Sequence, residues 1–223
     1  MERDSVRLVR YFGAAASVAL GCVACASGGS SSSSPPTSPP AGGSSAGSAA
    51  SSPSASSVPS QAPVPAESNP PGDIPDGLAF VAYRNSAGGY RFTHPEGWAQ
   101  VVHGTSVRFT DKLNGVAATT VSAPSAPTVA SARKNDVPRL QSSVPAFELR
   151  SVSAKTLPGG SAILIVFRRN SDPDPVTGRQ YRDEVNEYLF WHAGREVRFN
   201  LYGPVGADNV DAYRTMSTSF RQS

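Results

Sequence analysis

This sequence has little cysteine, lysine or histidine and no long apolar run, and each shortage excludes something. Its cysteines are Cys22 and Cys25, both at the front, so a domain folded beyond them holds no disulfide and no thiol chemistry. Such a domain suits an extracytoplasmic compartment only if its hydrophobic core suffices alone. The 3 histidines, His94, His103 and His192, stand at no metal-ligand spacing from one another. Acid–base and nucleophilic chemistry usually needs a histidine, and a Ser, His and Asp arrangement would converge only in the fold, so the expectation is no catalytic residue, no metal ligand and no cofactor. Lysine is confined to Lys112, Lys134 and Lys155, and the basic residues beyond the first few alternate with acidic ones without forming a run. The electrostatic footprint of a nucleic-acid binder is therefore missing. No apolar stretch approaches the roughly 20 residues that a spanning helix needs. Between Arg10 and Glu67 there is no charge at all.

What is present divides the chain into three parts: 1–21, 22–72 and 73–223. Residues 1–10, MERDSVRLVR, carry Arg3, Arg7 and Arg10, and YFGAAASVALG (residues 11–21) follows as an uncharged, mostly apolar run ending in a small residue before Cys22. That is the layout of an export signal, too short to anchor by spanning. Formal net charge is +3, and Arg3, Arg7 and Arg10 against Glu2 and Asp4 supply one of those charges, so the mature chain is close to neutral.

ALGC (residues 19–22) resembles the lipobox of bacterial lipoproteins, in which a cysteine after a small residue is diacylated and becomes the new N-terminus. Ala19 stands where leucine is usual, and CVAC (residues 22–25) offers Cys25 as the alternative to Cys22. Two acyl chains anchor stably because each buried methylene contributes about 0.8 kcal/mol. The resemblance implies a lipid-anchored protein on the extracytoplasmic face of the cell membrane. Residues 26–71 are almost pure Ser, Pro, Gly and Ala, a composition that buries too little apolar surface to offset its ordering entropy. Segment 22–72 is read as a disordered tether, with an end-to-end distance of about 35–40 Å as a flexible coil. GSSAG (residues 43–47) fits the G-x-S-x-G pattern of hydrolases, but that pattern has meaning only between a strand and a helix.

From residue 73 on, about 150 residues make one domain with one core. LAFVAY and GYRFTH, separated by RNSAG, read as a hairpin, and TSVRFTD and VAATTVS around KLNG read as a second. PEGW is a turn that delivers Trp98 to the core. A helix is expected from Val129 to about Leu140, ending or kinking before Pro138. Two strands follow around Pro158, Gly159 and Gly160, then two long strands around HAGR. In the last, Val197, Phe199 and Leu201 face the core and Glu196, Arg198 and Asn200 face a wetter side. GADNVDAYRTMSTSF reads as a closing helix capped by Asp208 or Asn209, with Asp211 in its first turn and Val210, Tyr213, Met216 and Phe220 at helical spacing. The pattern predicts an α+β domain, an antiparallel β-sheet packed with helices.

The stretch from SDPDPVTG to the last helix, with YRFTHPEGW and LPGGSAILIVF upstream, resembles a family of actinobacterial exported lipoproteins whose soluble domain is PsbP-like. The motifs PDPVTG and GPVGADNVD carry the resemblance, which covers most of residues 78–222. It implies a PsbP-like fold and a role in binding an envelope protein partner or stabilising an assembly. Related lipoproteins are associated with envelope lipid transport, so an apolar ligand is the alternative.

NSDPDPVTGRQYRDE concentrates carboxylates beside two prolines and Gly178. Prolines that fix φ and a glycine free to take positive φ are what a wide hairpin turn needs. Asp172 and Asp174 offer oxygens to a cation but lack the further ligands of a calcium loop. Asp172, Asp174, Gly178 and Arg179 therefore form a structural turn or a partner-binding loop. Asp208, Asn209 and Asp211 are expected to cap the last helix and to anchor it to that loop through Arg179 or Arg182. Tyr188, Phe190, Trp191, Phe199 and Tyr202 are expected in the core. The leading expectation is a non-catalytic binding or assembly lipoprotein, and its rivals are an apolar-ligand carrier and an envelope hydrolase.

Overall fold

In the computed structural model the described residues are 61–68 and 71–223. The export signal, Cys22, Cys25, GSSAG and the tether up to residue 60 lie outside them. Among the described residues no helix is long and apolar enough to cross a membrane.

Both expected early hairpins are present. β1 (Phe80–Asn85) pairs antiparallel with β2 (Tyr90–Pro95), and Trp98 enters the core after the PEGW turn. β3 (Ala99–His103), absent from the expected elements, pairs with β4 (Ser106–Asp111), which pairs in turn with β5 (Asn114–Ser122). After the helical segment come β6 (Glu148–Leu157), β7 (Gly160–Asn170), β8 (Arg182–His192) and β9 (Arg195–Pro204), each antiparallel to the next. β9 returns to pair with β5, giving a 7-stranded sheet of order β3-β4-β5-β9-β8-β7-β6. A terminal β10 (Arg221–Gln222) joins β2, so β1-β2-β10 form a second sheet of 3 strands. The class is the expected one: α+β, antiparallel, with helices packed on the sheet.

The internal helix is longer than the pattern implies. It runs as α1 (Val129–Ser131), a π-helical turn (Ala132–Asp136) and α2 (Val137–Ser143). Pro138 lacks an N–H and its ring crowds the carbonyl one turn back, so the ladder widens where the proline would break it. The Val137 N–H donates to the Ala132 carbonyl, and the helix resumes with Pro138 in the first turn of α2. The proline ends nothing.

The large sheet carries a hydrophobic core cluster on each face. On one, Val197, Phe199 and Leu201 pack against Tyr90 and Phe92 of the small sheet and against Met216 and Phe220 of the terminal helical segment, which opens with α3 (Val210–Ser219). Phe220 stacks on Phe190 at 4.1 Å between ring centres and lies 5.1 Å from Phe199. On the other face Ile163, Ile165, Phe167 and Leu189 pack against Ala132, Val137 and Leu140. The run AILIVF reads as continuous because β7 sends Ala162 to one core and Ile163 and Ile165 to the other.

On β9 the expected wetter face is present, since Arg198 and Asn200 are half-buried where Val197, Phe199 and Leu201 are buried, and Glu196 departs from it. Glu196 is buried, and Arg198 reaches it at 3.0 Å while approaching Asp136 of the π turn at 3.7 Å. Of the closing helix pattern, Met216 and Phe220 are buried and Tyr213 is partly so, but Val210 is 64% exposed.

Candidate functional site

The loop between β7 and β8 is a turn in its chemistry. Asp174 Oδ1 accepts the Val176 N–H at 3.0 Å, the Thr177 N–H at 2.7 Å and the Thr177 hydroxyl at 2.9 Å. These donors hold the Asp174 carboxyl below its usual range, the Thr177 N–H most of all. The Gly178 N–H closes the turn onto the Asp174 carbonyl at 2.9 Å, with Gly178 at φ +69°, the left-handed conformation a glycine permits. Asp172 and Asp174 are both exposed, and both line a cavity of about 250 Å³. Arg179 lies over the Tyr181 ring and pairs with Glu67. Among the described residues no group of three His, Cys, Asp or Glu is placed to hold a metal ion.

The second motif is not anchored to this loop. The Asp208 N–H donates to Asp73 Oδ1 at 2.8 Å, Asn209 Oδ1 accepts the Ile74 N–H at 2.8 Å, and Asp211 pairs with Arg214 at 2.9 Å on the exposed surface. Arg182, the expected intermediary, turns instead to the Ala146 carbonyl at 2.7 Å and Glu148 at 2.9 Å. Asn209, not Asp208, is the N-cap residue of α3, and its side chain makes no capping bond because it is committed to the core-facing contacts. What the two motifs share is a neighbour in the entering chain: residues 61–67 touch the first and Asp73 and Ile74 touch the second.

The histidines stand apart. His94 stacks on Phe109 with ring centres 3.6 Å apart, and burial pushes its pKa down. His103 and His192 are exposed on β3 and at the β8–β9 turn. The buried acids are likewise separate. Glu187 meets Arg139 at 2.8 Å, and burial pushes its carboxyl up despite that partner. Asp183 lies 3.4 Å from Arg169, its Oδ1 is without a hydrogen-bond partner among the described residues, and burial pushes its carboxyl up to about 6.

A cavity of about 650 Å³ opens where α3 crosses the face of β6, β7 and β8, and no sequence pattern marks it. Leu157, Leu164 and Tyr188 form an apolar floor, and Val205 and Val210 extend it along the loop into α3. Lys155, Arg168 and Arg214 stand around this floor with Glu184. Arg168 and Glu184 are directly opposite across β7 and β8 and pair at 3.3 Å. Lys155 forms no ion pair among the described residues. Of the expected site residues only Asn209 lines this cleft, and of the expected core aromatics Tyr188 does. The rest carry no local signal, because Lys155, Leu164 and Arg214 meet only after β6–β8 and α3 are assembled.

The chain matches no protein-family model and no curated protein. Among solved structures it is similar to cyanobacterial PsbP (CyanoP) from Synechocystis sp. PCC 6803, at 19% identity over 70% of this chain and 100% of that one, with a TM-score of 0.43. It is also similar to LpqN, involved in cell envelope biogenesis of Mycobacterium tuberculosis, at 12% identity over 66% of this chain and 91% of that one, TM-score 0.40. A third likeness is to the Saccharomyces cerevisiae Ran-binding protein Mog1p, at 9% identity over 66% and 96%, TM-score 0.44. Likeness at this level concerns the layout of the chain and lends no residue a role.

Proposed function

We propose that the protein is a non-catalytic binding module held on the extracytoplasmic face of the cell membrane by an acylated Cys22, or Cys25, and that the cleft under α3 receives an acidic segment of an envelope protein. The observation that carries this reading is the pairing of an apolar floor, Leu157, Leu164 and Tyr188, with the cations Lys155, Arg168 and Arg214. An amphipathic segment with apolar anchors and flanking carboxylates is complementary to that surface. The cleft is open rather than enclosed, since Lys155, Gly206, Val210 and Arg214 of its lining are all exposed. A long acyl chain would stay wet there, which favours a protein segment over a lipid cargo. The carboxylate in the lining, Glu184, is engaged by Arg168, and His94, His103 and His192 all lie outside the cleft, which supports binding over hydrolysis.

The test is a photo-cross-linking amino acid in place of Val210, in the full chain and in intact cells. A discrete protein adduct, lost when Lys155 and Arg214 are both changed to glutamate, is the expected result. An adduct with lipid alone would transfer the assignment to an apolar-ligand carrier. Turnover of an envelope ester or glycoside by the purified protein would overturn the non-catalytic reading.

A further inference from the structure

Residues 61–68, QAPVPAES, fall within the stretch whose composition reads as tether, yet they hydrogen-bond to the body at several points. The Asn170 side chain at the end of β7 grips their backbone with both ends of its amide. Its Nδ2 donates to the Ala62 carbonyl at 2.8 Å, and its Oδ1 accepts the Val64 N–H at 3.0 Å. An amide that spans a carbonyl and the N–H two residues on reads an extended backbone, and Pro63 stands between the two contacts. Asn170 is 1% exposed, and Arg182 Nη1 donates to the same Oδ1 at 3.3 Å, so the gripping group is itself held in place. The β7–β8 loop adds two contacts to this segment: Gln61 Nε2 donates to Gln180 Oε1 at 2.7 Å, and Glu67 pairs with Arg179.

We propose that Asn170, Gln180 and Arg179 form a peptide-docking groove whose ligand is this chain's own segment 61–67, and that the docked segment is a latch fixing where the tether leaves the body. Three features of the ligand suit it to that role. Pro63 and Pro65 fix their own φ, so the segment loses less entropy on docking than a flexible one would. The recognition is by backbone and by the Glu67 side-chain carboxylate, which suits a segment of otherwise small side chains. The segment is joined covalently to the body, so its effective concentration at the groove is of millimolar order and it outcompetes free peptides of the same kind. The latch gives the β7–β8 loop a task beyond turning the chain, and it stands independently of what the cleft under α3 binds. Release of the segment would free the chain only as far as Gly72, which Asn114 holds separately, and would lengthen the reach of the tether by roughly 35 Å at full extension.

Hydrogen exchange on the full chain tests the latch. In the native protein the Val64 amide is expected to exchange at least about tenfold more slowly than in an unstructured chain, as a hydrogen-bonded amide does. Asn170→Ala is expected to abolish that protection while the amides of β9 stay protected. Because Asn170 also meets Arg182, a charge exchange gives a second readout: Glu67→Arg and Arg179→Glu each speed exchange at Val64, and the double variant slows it again. Exchange of Val64 at the unstructured rate in the native protein would overturn the proposal, and so would a double variant as fast as the two single ones.

Discussion

Asn209 Nδ2 donates to Asn114 Oδ1 at 2.9 Å, joining the N-terminal end of α3 to the start of β5 across 95 residues of sequence. The same Asn209 accepts the Ile74 N–H, and Asn114 Nδ2 donates to the Gly72 carbonyl at 2.7 Å, so one pair of buried amides fastens the entering chain, the sheet and the helix together. Gly203 passes close enough that a methyl group there would run into the Asn114 side chain.

This arrangement sets the first prediction. Asn209→Ala leaves a buried oxygen on Asn114 and the Ile74 N–H unpaired, and is expected to cost about 2–3 kcal/mol. Gly203→Ala should cost a comparable amount by displacing the same pair. Asp208→Ala, on an exposed side chain that caps nothing, is expected to stay within about 0.5 kcal/mol. Urea unfolding of the three variants decides it, and equal losses for Asp208 and Asn209 would restore the simple capping account.

Asp183 supplies a pH dependence whose sign can be worked out. Burial raises its carboxyl to about 6, so between about pH 4 and pH 6 the folded state holds a proton that the unfolded chain has released. Stability contributed by this group is therefore full below pH 4 and is lost as pH rises through 6. Asp183→Asn removes the effect, and its advantage over the native protein is expected to grow from near zero at pH 4 to on the order of 2 kcal/mol at pH 7. His94, whose pKa is lowered by burial, acts in the opposite direction in both proteins and cancels from the difference. A difference that does not change with pH would remove Asp183 as its source.

The cationic rim of the cleft yields a third expectation. Lys155→Glu with Arg214→Glu should lower capture of the partner segment by at least about tenfold. Because both side chains are exposed, the melting temperature should be almost unmoved. Partner capture is read by the cross-link at position 210, and undiminished yield would place the contact elsewhere.

Membrane attachment is tested at the front of the chain. Replacing Cys22 and Cys25 together with serine is expected to move the protein from the membrane fraction to the soluble one, whereas Cys25→Ser alone leaves it attached. A double variant still recovered with membranes would exclude acylation as the anchor.

The elements that could be read from sequence were those with a regular local pattern. Val197, Phe199 and Leu201 alternate on β9 and all reach the core, the residues around KLNG turn back as β4 and β5, and Gly178 takes the positive φ its turn requires. β3 was invisible because AQVVH has no alternation to show: all five of its residues are exposed at the edge of the sheet. The candidate cleft was invisible for a different reason. Leu164 sits in an apolar run, Lys155 in an ordinary strand and Arg214 on a helix surface, and nothing in their spacing says that they face one another.

Sequence alone determined the class of the domain, its hairpins and the turn chemistry of PDPVTG, because those follow from side-chain period and from the φ preferences of proline and glycine within a few residues. Only the tertiary structure decided that the large sheet carries a core cluster on each face, that Asn209 binds Asn114 instead of capping its helix, and that residues 61–67 dock on the end of β7 and the loop between β7 and β8. The physical reason is range. Local conformation is set by neighbours along the chain, whereas burial and buried hydrogen bonds are set by groups about 100 residues away, whose positions depend on the whole strand order.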